Sequence, residues 1–349
     1  RQNGPATHYL KKGTPTMGGI IILLSIILPS ILWAQLNEYI CTIVIATLFM
    51  GTVGFIDDYL KIIKKLSKGL IARYKLIAQI LVGIFISYMI LNHINNPIIF
   101  QDLDHLSKTQ IELINDKVST QRDFEKTIIS NTSISIPFMA SNTVNNVING
   151  FLELPQWLYV ILIILVITAT SNAINLTDGL DGLAAGLTSI AIITLGVIAY
   201  ASGRSDFSDY LNILYIKGAD ELLIFSFATV GACLGFLWYN SNPAIIFMGD
   251  TGSLALGTAL GTLAVLLRKE ILLIIIGGVF VIEALSVIIQ VLYFKYTKRK
   301  YGTGKKMFLM APIHHHFEQK GLPESKIVVR FWIIGVLLAL FSLSSFKLQ

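Results

Sequence analysis

Regularly spaced polar residues interrupt a chain that is otherwise dominated by apolar runs. Residues 171–186 read SNAINLTDGLDGLAAG, and Asn172, Asn175, Asp178 and Asp181 recur at every third position. On a helical turn these four side chains form one polar stripe. A carboxylate near the centre of a membrane helix costs about 3 kcal/mol on insertion scales. We therefore expect the stripe to serve a function.

Two further stretches carry carboxylates that could do chemistry. Asp57 and Asp58 precede Lys61 by one helical turn, so an ion pair is available, but one lysine neutralises only one of two adjacent acids. Asp250 lies between two glycines in FMGDTGS, residues 247–253, where a tight turn and a helix start are favoured. The free N–H groups of such a helix start suit a phosphate. The plainer alternatives are that Asp57 and Asp58 belong to a solvated helix end and that Asp250 only caps a helix.

These five carboxylates offer hard oxygen ligands. Mg²⁺ is usually held by one or two carboxylates together with waters and substrate phosphates. Five acids exceed what one ion needs, so some must hydrogen-bond a substrate or handle a proton. The sequence contains neither GxxxxGK[ST] nor HExxH, so neither a P-loop ATPase nor a metalloprotease is indicated.

Three consecutive histidines, His314, His315 and His316, form another candidate cluster. They cannot all face one metal in regular structure, because helical histidine ligands are usually spaced i, i+4. We interpret them as groups that hydrogen-bond a nucleotide or phosphate rather than as a zinc site. Glu283 and Gln290 share one helix face, where internal packing and ligand contact are both open.

The elements that must position these residues are membrane helices. The chain has 349 residues, of which 54% are hydrophobic and 14% charged, against about 25% charged in soluble domains. We predict an all-α, polytopic transmembrane bundle that forms a single integral membrane domain over residues 1–349. The net charge of +6 reflects basic loops rather than nucleic-acid binding. The nine predicted spans are residues 17–36, 40–56, 74–94, 157–170, 183–201, 222–239, 253–267, 271–294 and 328–346.

Basic residues orient the predicted spans. If the loops alternate between two sides, 18 of the 27 Lys and Arg fall on the side of residue 1, which identifies that side as cytoplasmic. The same side receives every chemical cluster, including GTPTMGG at residues 13–19, which by itself reads as a turn and helix start. This predicts one cytoplasmic site built from several loops. Residues 95–155 are expected to form an extracytoplasmic loop or insertion.

Together these clusters resemble the polyprenyl-phosphate N-acetylhexosamine-1-phosphate transferase superfamily, and within it the phospho-N-acetylmuramoyl-pentapeptide-transferase family. The stretches that carry the resemblance are GTPTMGG at 13–19, DDYLK at 57–61, NAINLTDGLDGLAAG at 172–186, FMGDTGSLALG at 247–257 and APIHHHFE at 311–318. The acidic motifs mark the superfamily, whereas the triple histidine and GTPTMGG indicate the muramoyl-pentapeptide branch. The family has ten transmembrane helices, so nine spans and an apparently cytoplasmic start suggest a first helix preceding Arg1.

The resemblance implies transfer of phospho-MurNAc-pentapeptide from its UDP carrier to undecaprenyl phosphate, with release of UMP and a requirement for Mg²⁺, at the cytoplasmic face of a bacterial inner membrane. It implies that Asp250 holds Mg²⁺ and that Asp57 lies near the attacking lipid phosphate as the family's proposed base, with Asp58 in support. It also implies that Lys61 neutralises phosphate charge. It further implies a nucleotide pocket formed by Lys11, Thr16, Asn172, Asn175, Asp178, Asp181, Gly249, Ser253, Gln290, His314, His315 and His316.

Two alternatives remain at this stage. A sister transferase that uses UDP-GlcNAc shares the acidic motifs, and only the wording of the histidine loop argues against it. A polytopic transporter would place its binding groups near the midplane and would often show paired repeats, and neither feature is evident. The oligomeric state, including a homodimer, is left open by the sequence.

Overall fold

The computed structural model describes residues 13–66, 69–101, 125–139, 143–144, 147–148 and 150–346, and these form a helical bundle. The helices are α1 (Gly19–Trp33), α2 (Glu38–Ile62), α3 (Ala72–Asn92), α4 (Gln156–Thr177), α5 (Leu183–Gly203), α6 (Ser205–Tyr210), α7 (Leu222–Asn240), α8 (Gly249–Leu266), α9 (Glu270–Ile276), α10 (Gly278–Tyr301), α11 (Ile313–Gln319) and α12 (Glu324–Ser344), with a 3₁₀ turn at Ala219–Glu221. The predicted all-α, multi-pass fold is confirmed.

Each of the nine predicted spans contains helix, and within the described ranges seven helices are long and apolar enough to cross a membrane. The other two predicted spans are α1, an apolar helix of 15 residues, and α8, which has 18 residues. The fourth predicted span looked short because its last turns are polar. As α4 it continues to Thr177 and reaches 22 residues.

The predicted span over residues 271–294 is not one helix. It is divided at Gly277 into α9 and α10. The N–H of Gly277 bonds to the carbonyl of Leu273 at 2.7 Å, which closes the last turn of α9. A Cβ on Gly277 would lie 2.9 Å from the carbonyl oxygen of Leu273, so glycine suits this tight turn.

Helix α8 lies at the centre of the bundle. Every residue from Thr251 to Leu266 is buried, and the helix packs against both α2 and α4. Glycines make this close packing feasible, as is usual where helices associate within a membrane. A Cβ on Gly257 would lie 2.5 Å from the Cα of Ser171 in α4. Since α8 begins at Gly249, this central position places Asp250 between the ends of its neighbours.

The outer helices present apolar side chains outward, as a bilayer requires. Only 22% of the apolar window of α10 is buried, against 78% for α5. Trp33 and Trp157 near the ends of their helices are 70% and 66% exposed, as expected for rings at membrane interfaces.

Short strands occupy the segment between α3 and α4. They form three antiparallel pairs: β1 (Ile98–Gln101) with β2 (Glu125–Ile128), β3 (Ser133–Ser135) with β6 (Phe151–Glu153), and β4 (Thr143–Val144) with β5 (Val147–Ile148). The placement of residues 95–155 outside the cytoplasm stays a prediction.

A buried polar cluster attaches part of this segment to the helices. Arg268, which is 2% exposed, donates to the hydroxyl of Tyr159 and, at 3.0 Å, to Oδ1 of Asn131. The Tyr159 hydroxyl donates to Glu270 at 3.1 Å. The carbonyl of Arg268 accepts a 2.7 Å bond from the hydroxyl of Ser135 in β3. These bonds join α4, the turn after α8 and the strand segment.

Candidate functional site

The glycine-rich stretch at residues 13–19 pairs with the start of α8. The N–H of Phe247 donates to the carbonyl of Pro15 at 2.8 Å, and the N–H of Gly18 donates back to Phe247 at 2.9 Å. A Cβ on Gly19 would lie 2.1 Å from the nitrogen of Gly252, so only glycine allows this approach. Residues 13–19 therefore position the loop that carries Asp250.

Asp58 caps the first turn of α8 from the neighbouring helix α2. Its Oδ1 accepts the N–H of Asp250 at 3.1 Å, and its Oδ2 accepts the N–H of Thr251 at 2.9 Å and the Thr251 hydroxyl at 2.6 Å. The first N–H groups of a helix have no partner within it, so a carboxylate in this place stabilises the helix start. Gly249 has a φ of +75°, and a Cβ there would lie 2.6 Å from Asp58 Oδ2 and 3.2 Å from the Thr16 hydroxyl.

Two lysines hold Asp57 and Asp250 together. Lys61 contacts Asp57 and lies 3.0 Å from Asp250 Oδ2. Lys75, from α3, lies 2.8 Å from Asp57 Oδ2 and 2.5 Å from Asp250 Oδ2. The predicted pairing of Lys61 with the acid motif is present. Lys75 was not predicted as a site residue, because it follows the motif only after a loop and belongs to no short pattern.

The loop between α2 and α3 closes over the same carboxylate. The N–H of Leu70 donates to Asp57 Oδ1 at 2.5 Å. The preceding Gly69 has a φ of +54°, and a Cβ there would lie 2.5 Å from that oxygen. The backbone can therefore approach Asp57 only with glycine at position 69.

Asp57, Asp58 and Asp250 form a candidate metal site. One oxygen from each of the three carboxylates lies within 4.8 Å of the others. Such a set of hard oxygen donors, without sulfur or imidazole, fits Mg²⁺ or a similar cation. With all groups ionised, the three acids and the two lysines leave one negative charge in excess. Two of the three predicted acidic motifs, that of Asp57 and Asp58 and that of Asp250, therefore meet in the fold.

The predicted polar stripe is only half helical. Asn175 in α4 donates to Asp250 Oδ1 at 3.1 Å and to the Ser253 hydroxyl at 2.8 Å, and Asn172 donates to Gln79 at 3.0 Å. Helix α4 then ends at Thr177. Asp178 and Asp181 therefore leave the helix face predicted for them, since Asp178 has a ψ of 51°, outside the helical region, and Gly182 is left-handed.

Asp178 follows the end of α4 and faces the acid cluster. Burial, followed by the nearby charges of Asp250, Asp58 and Asp181, raises the pKa of Asp178 to about 7. This group is therefore partly protonated near neutral pH, unlike an ordinary aspartate.

Asp181 bonds to protein groups beside the predicted pocket. Its Oδ2 accepts from Asn242 at 3.2 Å and from the N–H of Ala244 at 3.0 Å. Its own N–H donates to Glu324 at 2.7 Å. These contacts tie the loop after α4 to the loop after α7 and to the start of α12. Neither Asn242 nor Glu324 was predicted, since their sequence neighbourhoods contain no recognisable pattern.

The three histidines point to different partners. His314 is buried, its Nδ1 lies 3.0 Å from Glu283, and its Nε2 has no hydrogen-bond partner in the described structure. His315 pairs with Glu318 at 3.1 Å. His316 accepts the N–H of Leu309 at 3.2 Å, and burial lowers its pKa, with a smaller contribution from Lys320. They do not converge on one metal.

The unpartnered nitrogen of His314 faces the polar loop after α4. A Cβ on Gly179 would lie 2.3 Å from His314 Nε2. His314 thus joins the histidine loop to the region of Asp178. Gln290 binds the segment that precedes the three histidines, because its side-chain oxygen accepts the N–H groups of Met307 and Phe308 at 3.0 and 2.9 Å. The remaining predicted site residue, Lys11, lies outside the described residues.

Comparisons with known proteins identify the family of the chain. Residues 40–268 match the family described as glycosyl transferase family 4, and residues 11–23 match phospho-N-acetylmuramoyl-pentapeptide-transferase signature 1. The phospho-N-acetylmuramoyl-pentapeptide-transferase of Parabacteroides distasonis is 42% identical, with 100% of this chain and 86% of that protein covered. Those of Chloroherpeton thalassium and Thermodesulfovibrio yellowstonii are 46% and 47% identical, with 100% of this chain and 84% of each relative covered. The chain therefore belongs to glycosyl transferase family 4 and, within it, to the phospho-N-acetylmuramoyl-pentapeptide-transferases.

Proposed function

We propose that this protein transfers phospho-MurNAc-pentapeptide from UDP-MurNAc-pentapeptide to undecaprenyl phosphate, which yields the lipid-linked product and UMP. The observation that carries this proposal is the convergence of three carboxylates and two lysines at one end of a membrane bundle. Phosphoryl transfer needs mainly positioning and neutralisation of charge, and this set of groups provides both.

Magnesium is the cation we propose for the acid cluster, with Asp250 as its principal protein ligand. Asp250 suits this role because it heads α8 and its two oxygens face Asn175 on one side and the lysines on the other. When bound, the ion would neutralise charge on the pyrophosphate of the donor. Asp58 is a positioning residue in this account, since its oxygens already hold the first turn of α8.

Asp57 and the two lysines are proposed to face the acceptor phosphate. A phosphate monoester is largely ionised near neutral pH, with a second pKa of about 6, so the reaction does not require Asp57 to remove a proton. Lys61 and Lys75 can exchange a carboxylate partner for a substrate phosphate without a change in their own charge. Their role would be to offset the charge that builds up when two anionic substrates meet.

The nucleotide pocket is proposed to lie between the polar loop after α4 and the histidine loop. Asp178 belongs to the polar loop, Asn175 lies in the last turn of α4 and bonds to Ser253, and His314 Nε2 faces Gly179 of the polar loop. We also assign to this pocket the other predicted residues, which are Thr16, Asn172, Asp181, Gly249, Ser253, Gln290, His315 and His316, together with Lys11, which lies outside the described residues. Of these, Asp181 and Gln290 are proposed to shape the pocket through their bonds to protein backbone.

The polyprenyl chain of the acceptor is proposed to lie in an apolar groove between helices. One such cavity, of about 690 Å³, is lined by Pro15, Pro29, Ala232, Phe236 and Ile246 between α1 and α7. Pro15 precedes Thr16, which neighbours the acid cluster, so the groove ends near the proposed reaction site. We place that site on the cytoplasmic face of the bacterial inner membrane, following the distribution of basic loops.

The donor sugar distinguishes the proposed reaction from that of a sister transferase that uses UDP-GlcNAc. The purified chain would be incubated with undecaprenyl phosphate, Mg²⁺ and either UDP-MurNAc-pentapeptide or UDP-GlcNAc, and UMP would be measured. We expect UMP from the first donor only. Release of UMP from UDP-GlcNAc alone would overturn the proposed substrate while leaving the reaction type intact.

A further inference from the structure

The last turns of α10 protrude from the bundle. Between residues 291 and 301 only Thr297 is buried, and Leu292, Tyr296 and Tyr301 are 60%, 57% and 56% exposed. A helix of 24 residues is about 36 Å long at 1.5 Å per residue, which exceeds the apolar core of about 30 Å. Tyrosines of this kind favour the boundary between lipid tails and headgroups.

Basic side chains surround this protruding end. Lys295, Lys298 and Arg299 have the i, i+3, i+4 spacing of one helix face. The ammonium of Lys300 lies 5.7 and 5.3 Å from the ring centres of Tyr296 and Tyr301. We call Lys295, Lys298, Arg299, Lys300, Lys305 and Lys306 the basic patch.

The loop after α10 returns the last two lysines to the helix. The N–H of Lys305 donates to the Thr297 hydroxyl at 2.8 Å, and Gly304 packs against the ring of Phe294, where a Cβ would lie 2.4 Å from it. Lys305 also lies 5.2 Å from the ring centre of Tyr301. The patch therefore has a defined place on the surface.

Among the described residues, no acidic side chain pairs with the basic patch. The sequence has neither Asp nor Glu between Glu283 and Glu318. Across the described ranges, none of the six side chains has a carboxylate within 4.0 Å. Six basic side chains without an acidic partner among the described residues, next to exposed tyrosine rings, favour anionic partners at the membrane surface.

We propose that the basic patch binds the phosphate-bearing headgroups of anionic phospholipids in the adjoining leaflet. Clustered lysines and arginines immediately beyond a membrane helix attract such lipids, by about fivefold in affinity for each residue near the surface. The long side chains can lie along the exposed rings and place their charges at the headgroups. The attraction is electrostatic and therefore weakens as salt rises.

The test uses the full chain in a neutral detergent. Short-chain phosphatidylglycerol and phosphatidylcholine, each with a fluorescent label on the acyl chain, would be titrated at low and high salt. The variant replaces Lys295, Lys298 and Arg299 by glutamine. The matched control replaces Lys217, Lys326 and Arg330 by glutamine, which removes the same charge from exposed positions elsewhere.

The wild type and the control should bind phosphatidylglycerol more tightly than phosphatidylcholine, and the patch variant should lose about 100-fold in affinity for phosphatidylglycerol. Equal loss in the control, or an unchanged preference in the patch variant, would overturn the proposal. Displacement of the lipid by inorganic phosphate at the same concentration would also contradict it, since the site would then recognise free phosphate. Binding is measured without turnover, so the outcome is independent of the proposed reaction.

Discussion

The hydroxyl of Thr251 offers a sharp test of how the acid cluster is held. It donates to Asp58 Oδ2 at 2.6 Å at the start of α8, and the residue is fully buried. Thr251→Val keeps the branched shape and removes only this donor. We expect the variant to be less stable and less active, because the first turn of α8 also carries Asp250.

The expected size follows from the length and charge of this bond. An O–H···O⁻ distance of 2.6 Å lies in the range of charge-assisted hydrogen bonds. Bonds to charged groups contribute about 1.5–3 kcal/mol, whereas neutral side-chain bonds in membrane proteins average about 0.6 kcal/mol. We therefore expect the free energy of unfolding to fall by about 2 kcal/mol. Asp58 keeps its two backbone bonds to α8, so the fold should persist.

Thr258 provides a matched control on the same helix. It is also fully buried, but its hydroxyl has no hydrogen-bond partner in the described structure. Thr258→Val removes an unsatisfied polar group, so its stability should be unchanged or higher. Reversible unfolding in mixed micelles of SDS and a mild detergent would compare both variants with the wild type.

The activities of the two variants show whether the Thr251 hydroxyl positions Asp250 or affects only overall stability. A looser first turn would displace Asp250, and displacements near 1 Å can cost about 10²-fold in rate. We expect about a tenfold loss of UMP formation for Thr251→Val and none for Thr258→Val. Equal effects of the two substitutions, or no effect of Thr251→Val on either measurement, would refute the account of Asp58 as the cap of α8.

Three further predictions concern other parts of the site. Lys75→Met should lower UMP formation by about 10²-fold at unchanged expression; an unaltered rate would exclude a role for this lysine. Gly179→Ala should disturb His314, whose Nε2 the new Cβ would approach to 2.3 Å, and lower activity; an unchanged rate would contradict the contact. Because the folded-state pKa of Asp178 is raised to about 7, its contribution to stability is lost as pH rises from about 4 to 7. Asp178→Asn should therefore raise the melting temperature more at pH 8 than at pH 5, and the opposite order would refute the shift.

The sequence allowed candidate site residues to be predicted where they lie in short motifs. Asp57, Asp58 and Asp250 could be assigned to one site because the alternation of spans brings their loops to one end. Their geometry was not predictable. That Asp58 caps α8, and that Lys75 bridges Asp57 and Asp250, depends on how α2, α3 and α8 pack. No periodicity in the sequence records that packing.

The helix boundaries and the hydrogen-bond partners of the site residues could also not be predicted from the sequence. The stripe of four polar residues was predicted from spacing, yet the helix ends before Asp178, whose ψ of 51° lies outside the helical region, and Gly182 follows in a left-handed conformation. Asp181 bonds to backbone of a loop more than 60 positions away in sequence. A spacing rule describes one element at a time, whereas these contacts join several.

We propose that Asp250 holds the cation required for transfer. The most direct measurement is Mg²⁺-dependent release of UMP from UDP-MurNAc-pentapeptide and undecaprenyl phosphate by the wild type, by Asp250→Asn, and by Asp206→Asn as a control at an exposed acid paired with Arg204. We predict a loss of about 10³-fold for Asp250→Asn and an unchanged rate for the control. A full rate for Asp250→Asn at the same Mg²⁺ concentration would contradict the account.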